Sequence, residues 1–270
     1  MFVPKFLRRV DYRMGKLDGK VAIVTGSGRG LGRAFALAMA REGCSVVTNS
    51  VDAEKRTADR TADEIRKAGG KAVSLVARVG TKQTAEELVN TAIKEFGTLH
   101  ILVNNAGYGR DALLQQMTEE QWDEVVDTHL KGTFMNSQAA VKYMIENKIR
   151  GRIVNITSGV GIHGNIGQSN YAAAKGGIIA MTKTHSKELV RYGICVNTVA
   201  PLARTEMFDN VRQPLRDFMF DMMAKRNVLQ KVGEPEDVAP LIVFLASDDA
   251  HFITGQVICA TGDVGELPWD

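Results

Sequence analysis

The chain has 270 residues, 44% of them hydrophobic and 24% charged, and its 34 Lys and Arg against 31 Asp and Glu give a formal charge of +3. This composition excludes a disordered or fibrous chain, and the length fits one α/β domain that folds without disulfides or structural metals. The small net charge argues against nucleic acid or an anionic membrane surface as the main partner.

Location and redox state follow from what the chain lacks. No apolar run reaches the roughly 18 residues of a membrane span. No signal-peptide core follows the basic start of the chain, so we expect residues 1–16 to be an extension that packs on the body or on a partner, with a targeting remnant as the alternative. Cys44, Cys195 and Cys259 form no CxxC pair and lie in apolar surroundings. They predict buried thiols, no metal site and a reducing compartment, the cytoplasm.

Strand and helix signals alternate from residue 20 to residue 259 without a linker. The predicted strands are 20–25, 45–48, 72–76, 99–103, 152–156, 194–199 and 256–259. The predicted helices are 30–42, 53–68, 82–96, 119–147, 170–192 and 235–247. The alternation predicts one α/β domain over residues 17–270, a doubly wound parallel sheet with helices on both faces.

Segment 202–232 breaks this alternation. It is too long for an ordinary connection, and long insertions often cover a substrate. Its apolar side chains are equally able to pack into the core. They are Met207, Phe208, Phe218, Met219, Phe220, Met222 and Met223.

A glycine-rich loop, TGSGRGLG at 25–32, follows the first strand directly. Glycines let a backbone turn tightly and approach a pyrophosphate, and the helix that opens there offers unpaired N–H groups. The context predicts a dinucleotide site, although a ligand-free turn or a methyltransferase loop has the same pattern. The candidate contacts are Gly26, Ser27, Arg29, Gly30, Leu31 and Gly32.

The end of the second strand bears on which dinucleotide binds. Asn49 and Ser50 stand where a carboxylate for the ribose 2′-hydroxyl is expected. A carboxylate would repel a 2′-phosphate, whereas a serine would not, and basic residues lie nearby at Arg29 and 55–56. The pattern favours NADP(H), while Asp52, which can reach the ribose, keeps NAD(H) open.

Tyr171 and Lys175 are four residues apart on a predicted helix, so both side chains project from one face. A free phenol has a pKa near 10 and is a poor base at neutral pH. We expect the ammonium to lower that pKa. Ser158 ends the fifth strand, where open α/β sheets place ligands, and its hydroxyl is able to hold a substrate oxygen.

With TGSGRGLG at 25–32, NNAG at 104–107, Ser158 and YAAAK at 171–175, the sequence resembles the short-chain dehydrogenase/reductase family over about residues 17–262. The resemblance implies a Rossmann-type fold and hydride transfer between NAD(P)(H) and a secondary alcohol or ketone.

The resemblance also implies roles for individual residues. Tyr171 would be the general acid/base, Lys175 would bind the nicotinamide ribose and Ser158 would position the substrate oxygen. Further cofactor contacts would come from Val79, Asn105, Ala106, Gly107, Pro201 and Thr205. Helices 119–147 and 170–192 would pair across subunits of a homotetramer.

Two positions depart from the family pattern. His129 stands where an asparagine usually holds a relay water, and it is a candidate for contact with the relay or its backbone, or for a purely structural bond. Arg78 stands where an aspartate usually binds adenine.

Segments 128–134, 164–175, 200–207 and 262–270 are most similar to the (3R)-hydroxyacyl-CoA dehydrogenase part of peroxisomal multifunctional enzyme type 2 and its bacterial relatives. That similarity implies a 3-oxoacyl/3-hydroxyacyl thioester substrate, on CoA or acyl carrier protein. The alternatives are a reductase of a non-thioester ketone and a catalytically silent cofactor-binding subunit or sensor.

Overall fold

A computed structural model describes residues 15–52, 54–205 and 212–263. Seven strands form one parallel sheet in the order β3-β2-β1-β4-β5-β6-β7. The strands are β1 Val21–Val24, β2 Ser45–Ser50, β3 Ala72–Val76, β4 Ile101–Asn104, β5 Arg152–Ile156, β6 Cys195–Pro201 and β7 Val257–Ala260. The predicted doubly wound sheet is confirmed.

The main helices lie between these strands along the chain. They are α1 Gly30–Arg41, α2 Thr57–Lys67, α3 Lys82–Phe96, α4 Glu119–Val126, α5 Gly132–Glu146, α6 Val160–His163, α7 Ser169–Leu189, α8 Gln213–Arg226 and α9 Pro235–Ala246. None of the described helices is long and apolar enough to cross a membrane.

The sheet has a hydrophobic core on each face. Along β1, Ala22 and Val24 belong to the core under α1, α2 and α9. Val21 and Ile23 belong to the opposite core, under α3 and α5. Successive strand residues point to opposite faces, so a strand covered on both sides reads as an unbroken apolar run.

The predicted helix 119–147 is divided in two. A π turn, Asp127–Lys131, separates α4 from α5. A π turn inserts one extra residue into the helical ladder, and such insertions are frequent at functional sites. The hydrophobic period does not reveal it because the turns on either side continue the helix.

Two other expectations need correction. The helix predicted at 53–68 begins at Thr57, because Asp52 accepts hydrogen bonds from the Thr57 backbone and hydroxyl before it. Cys259 is half-buried, unlike the buried Cys44 and Cys195, because β7 is an edge strand.

Much of the insertion at 202–232 is the helix α8, in which Phe220 is buried and Phe218 is exposed. Met207 and Phe208 lie outside the described residues, as do most of the extension 1–16 and the end of the tail 262–270.

The strand order reverses between β1 and β4. Ligands of open α/β sheets bind in the crevice beyond the carboxyl ends of the strands at such a point. The loops after β1, β4, β5 and β6 meet there, and they carry most of the predicted site residues.

Candidate active site

The first helix of the fold begins without a side-chain cap. Its N-cap residue, Arg29, makes no capping bond, and no acidic residue lies in the first turn of α1. Gly30 has φ +52, a conformation that favours glycine. An uncapped N-terminus with a flexible glycine fits a pyrophosphate, which would accept the free N–H groups.

Two glycines of the loop are needed for packing within the protein. A Cβ on Gly26 would lie 2.6 Å from the Ala106 Cα, and one on Gly32 would lie 2.3 Å from the Gly26 carbonyl oxygen and 2.5 Å from the Asn105 amide nitrogen. These glycines therefore let the loop after β1 lie directly against the loop after β4.

The side chains of Ser27 and Asn49, two of the candidate cofactor residues, are bonded to other parts of the protein. The Ser27 hydroxyl is buried, donates to the Val24 carbonyl at 2.8 Å and accepts from the Asn49 backbone at 2.9 Å. The Asn49 amide is also buried and donates to the Leu75 and Ala77 carbonyls at 3.1 and 2.9 Å. Both side chains brace the loop against the strands.

Thr25 ties the two loops together. Its hydroxyl accepts from the backbone N–H groups of Asn105 and Ala106 at 3.0 and 3.1 Å, while the Asn105 side chain donates to the carbonyls of Thr25 and Gly26. The predicted contacts Asn105 and Ala106 thus lie at the edge of the crevice with their backbone fixed.

Ser50 lies at the end of β2 and points to Asp52. The Ser50 hydroxyl donates to the Asp52 carboxylate at 2.6 Å, and the Thr57 hydroxyl donates to the same group at 2.7 Å. These bonds hold the Asp52 pKa below its ordinary value, although partial burial opposes them. The carboxylate therefore stays ionised and is already engaged at the start of α2.

The remaining predicted cofactor residues lie in α1, after β3 and β4, and at or beyond the end of β6. Val79 is buried beyond β3, Leu31 is half-buried in α1 and Gly107 is exposed after β4. Pro201 ends β6, and Thr205 ends the second described stretch of the chain.

The structure brings the three predicted catalytic side chains together. Ser158 follows β5, and its hydroxyl hydrogen-bonds the Tyr171 phenol on α7. The Lys175 amine lies 5.4 Å from the centre of the Tyr171 ring and donates to the Ile156 carbonyl at 2.7 Å. A substrate oxygen at the phenol would lie beside a second hydroxyl donor.

The prediction that Lys175 lowers the Tyr171 pKa is wrong for the protein without ligands. Burial, with a smaller contribution from the Asp111 charge, raises the pKa of Tyr171 to about 12 despite the Ser158 hydrogen bond. Burial also lowers the Lys175 pKa to about 7. Desolvation disfavours both charged forms, so the phenol keeps its proton.

His129 lies in the π turn and is 1% exposed. Its Nε2 is 2.9 Å from the Tyr108 carbonyl oxygen and 3.1 Å from the Tyr108 nitrogen. Its ring contacts the Tyr171 ring edge-on, with 5.1 Å between the ring centres. Burial and the nearby Lys175 lower its pKa to about 3, so the ring is neutral. It therefore contacts the Tyr108 backbone and the edge of the Tyr171 ring, an arrangement that fits both the supporting role and the purely structural one.

Sequence reasoning missed three residues of the loop after β4 and of α7. Asp111 accepts from Gln168 at 2.9 Å, and burial raises its pKa. Asn170 is fully buried, accepts from the Tyr171 backbone at 2.7 Å and so fixes the start of α7. Tyr108 contacts His129. Their position just after NNAG or just before Tyr171 is the signal that would have found them.

A family model described as "Enoyl-(Acyl carrier protein) reductase" matches residues 26–263. The 3-oxoacyl-[acyl-carrier-protein] reductase FabG of Thermotoga maritima is 42% identical over 92% of this chain and 98% of that protein. The (2S)-[(R)-hydroxy(phenyl)methyl]succinyl-CoA dehydrogenase subunit BbsD of Thauera aromatica is 42% identical over 91% of this chain and 96% of that protein.

The peroxisomal hydratase-dehydrogenase-epimerase of Saccharomyces cerevisiae is 39% identical over 93% of this chain but only 27% of that longer protein. The fold, the clustered Ser158, Tyr171 and Lys175, and these matches agree with one another. The chain belongs to the short-chain dehydrogenase/reductase family of NAD(P)-dependent oxidoreductases.

Proposed function

We propose that this protein reduces a 3-oxoacyl thioester to the 3-hydroxyacyl thioester at the expense of NADPH. The observation that carries the proposal is the buried phenol of Tyr171, protonated and hydrogen-bonded to Ser158, in the crevice of a dinucleotide-binding sheet. The phenol keeps its proton at neutral pH and so has a proton to give to the substrate oxygen.

In this reaction the cofactor supplies a hydride to the substrate carbonyl carbon when it is bound. The Ser158 and Tyr171 hydroxyls hold the carbonyl oxygen. Tyr171 then gives its proton to that oxygen, and its own proton is replaced from solvent. Lys175, whose amine lies 5.4 Å from the centre of the phenol ring, stabilises in its protonated form the phenolate that develops.

The thioester class rests on the relatives, two of whose names specify an acyl-carrier-protein or a CoA substrate. Exposed apolar side chains at the rim of the crevice favour an acyl group over a small polar ketone. Leu114 and Ile166 are 80% and 85% exposed, on loops joined by the hydrogen bond from the Ala112 N–H to the Gly167 carbonyl.

The arginine of the glycine loop favours NADPH over NADH. The Asp52 carboxylate is engaged by Ser50 and Thr57, and it does not depend on ribose hydroxyls as partners. Arg29 is exposed and makes no ion pair within the described residues, so its guanidinium is available for a 2′-phosphate. Arg29→Ala should weaken NADPH about tenfold and leave NADH unchanged; an equal loss for both would contradict this assignment.

We also propose a homotetramer in the cytoplasm, built through α4, α5 and α7. Trp122 on α4 and Phe134 on α5 are 40% and 39% exposed, so both helices offer aromatic surface to a second subunit. A monomeric mass in sedimentation would overturn the assembly.

The function is tested by following NADPH absorbance with acetoacetyl-CoA, acetoacetyl-acyl carrier protein and a non-thioester 3-ketone. We expect turnover of at least one thioester and little of the free ketone. Ser158→Ala, which removes only the hydroxyl, should reduce turnover and retain cofactor binding. Cofactor binding without turnover of any of the three would favour the silent subunit or sensor.

A further inference from the structure

Arg78 and His129, the two positions where the sequence departs from the family pattern, are connected through Tyr108. Arg78 is exposed two residues beyond β3, and its guanidinium donates to the Tyr108 hydroxyl at 3.1 Å. The same hydroxyl donates to the Glu124 carbonyl in α4 at 3.4 Å. The Tyr108 side chain therefore bridges the end of β3 and the helix before the π turn.

The backbone of Tyr108 makes the second connection. The His129 Nε2 faces both the carbonyl and the N–H of Tyr108, so either neutral tautomer forms one bond to this residue. The His129 Nδ1 is buried and has no partner among the described residues. Tyr108 is thus the single polar contact that fixes the orientation of this ring.

Close packing restricts the ring further. A Cβ on Gly107 would lie 1.9 Å from the His129 Cε1, so only glycine leaves room for the imidazole. On its other side the ring stands at 88° to the Tyr171 ring, in edge contact. A displacement of His129 is therefore transmitted to the general acid, because neither neighbour leaves space to absorb it.

We propose that Arg78, Tyr108 and His129 form a positioning chain through which the adenosine half of the cofactor orients the Tyr171 ring. The inference rests on the proposed function, since Tyr171 is its target. Arg78 lies two residues beyond β3, and β3 is on the opposite side of β1 from β5, the strand that Ser158 follows, so the half of a dinucleotide remote from the reacting carbon would lie toward Arg78. Its contact with bound cofactor fixes Tyr108, and Tyr108 fixes His129.

The positioning chain of Arg78, Tyr108 and His129 is tested by a double-mutant cycle of Arg78→Met and Tyr108→Phe. The first removes the guanidinium. The second removes only the hydroxyl and keeps the backbone that His129 contacts. Two readouts are needed: the Kd of NADPH from its fluorescence on binding, and kcat with the acyl thioester. The matched controls are Arg41→Met and Tyr143→Phe, which alter an exposed arginine in α1 and a tyrosine in α5 away from the crevice.

We expect each single variant to raise the NADPH Kd and to lower kcat by about fivefold, with the thioester KM unchanged and the controls silent. The double variant should be no worse than either single one, because both break the same connection. A double variant about 25-fold impaired would mean independent roles and would overturn the chain, as would a Tyr108→Phe variant that behaves like Tyr143→Phe.

The contact between the His129 ring and Gly107 is tested by His129→Asn and Gly107→Ala. Gly107→Ala alone should impair kcat strongly, because its methyl group meets the ring. In the His129→Asn background the same substitution should be tolerated, because the ring is gone. Equal impairment in both backgrounds would contradict the contact. The double-mutant cycle measured through the NADPH Kd needs no turnover. The connection between Arg78 and Tyr108 therefore stays testable even if the thioester assignment fails.

Discussion

The two ends of the crevice satisfy their polar groups in opposite ways. At the phosphate end, residues 25–32, 49–52 and 104–106, the buried side chains of Thr25, Ser27 and Asn49 all have protein partners. At the catalytic end, residues 107–111, 128–129, 158 and 171–175, the buried Thr128 Oγ1 and His129 Nδ1 have no partner among the described residues.

The difference also appears in the titrating groups. Burial raises the pKa of Tyr171 and lowers the pKa of Lys175, so both groups favour their neutral forms. At the phosphate end, hydrogen bonds lower the pKa of Asp52 and keep it ionised. The buried side chains at the phosphate end are therefore paired with protein groups before a ligand binds, and the backbone N–H groups at the start of α1 are left for the ligand. Substitutions at the phosphate end should therefore change stability, and substitutions at the catalytic end should change activity.

Tyr171→Phe should have the largest effect. It removes the proton donor, so kcat should fall by about 10³-fold, while the NADPH Kd and the melting temperature change little. Stopped-time assays with a thioester measure kcat, and thermal unfolding measures the melting temperature. Retained turnover would exclude Tyr171 as the general acid.

Gly32→Ala should be the most damaging change to the fold at the phosphate end. The new Cβ meets the Gly26 carbonyl and the Asn105 amide at 2.3 and 2.5 Å, so backbone must move. We expect a loss of about 3 kcal/mol in the free energy of unfolding in urea, with weaker NADPH binding. Gly109→Ala is the control, because its Cβ meets only a flexible Asp111 oxygen at 3.2 Å. Equal stability of the two variants would refute the packing argument.

Thr25→Val keeps the shape of the side chain and removes its oxygen. The N–H groups of Asn105 and Ala106 then lose their acceptor, at a cost of about 2 kcal/mol. Urea unfolding measures it. A neutral result would show that water replaces the hydroxyl and that this end is less closed than its contacts indicate.

Lys175→Met should have the smallest effect on stability, and it should raise the free energy of unfolding rather than lower it. It removes a buried amine, so the ligand-free protein should gain about 1 kcal/mol at pH 6 while activity is lost. The folded pKa is about 7 against an ordinary 10.5. The cost of the charge is therefore full below pH 7 and disappears as the pH rises toward 10.5. Thermal unfolding across this range checks it; a gain that grows with pH would reverse the assignment.

The sheet, the glycine loop and the spacing of Tyr171 and Lys175 are predictable from the sequence alone. Each depends on a local rule: apolar runs bounded by glycine make buried strands, and residues four apart share a helix face. Tyr171 and Lys175 therefore meet because they share α7, and Ser158 joins them because β5 ends at the same edge.

The hydrogen-bond partners and protonation states of the polar side chains depend on the tertiary structure. Ser27 and Asn49 turned out to be braces, the phenol kept its proton, and Arg78 met His129 through Tyr108. Burial and hydrogen-bond partners depend on which distant segments pack together. A periodic pattern within one segment carries no information about its neighbours in space.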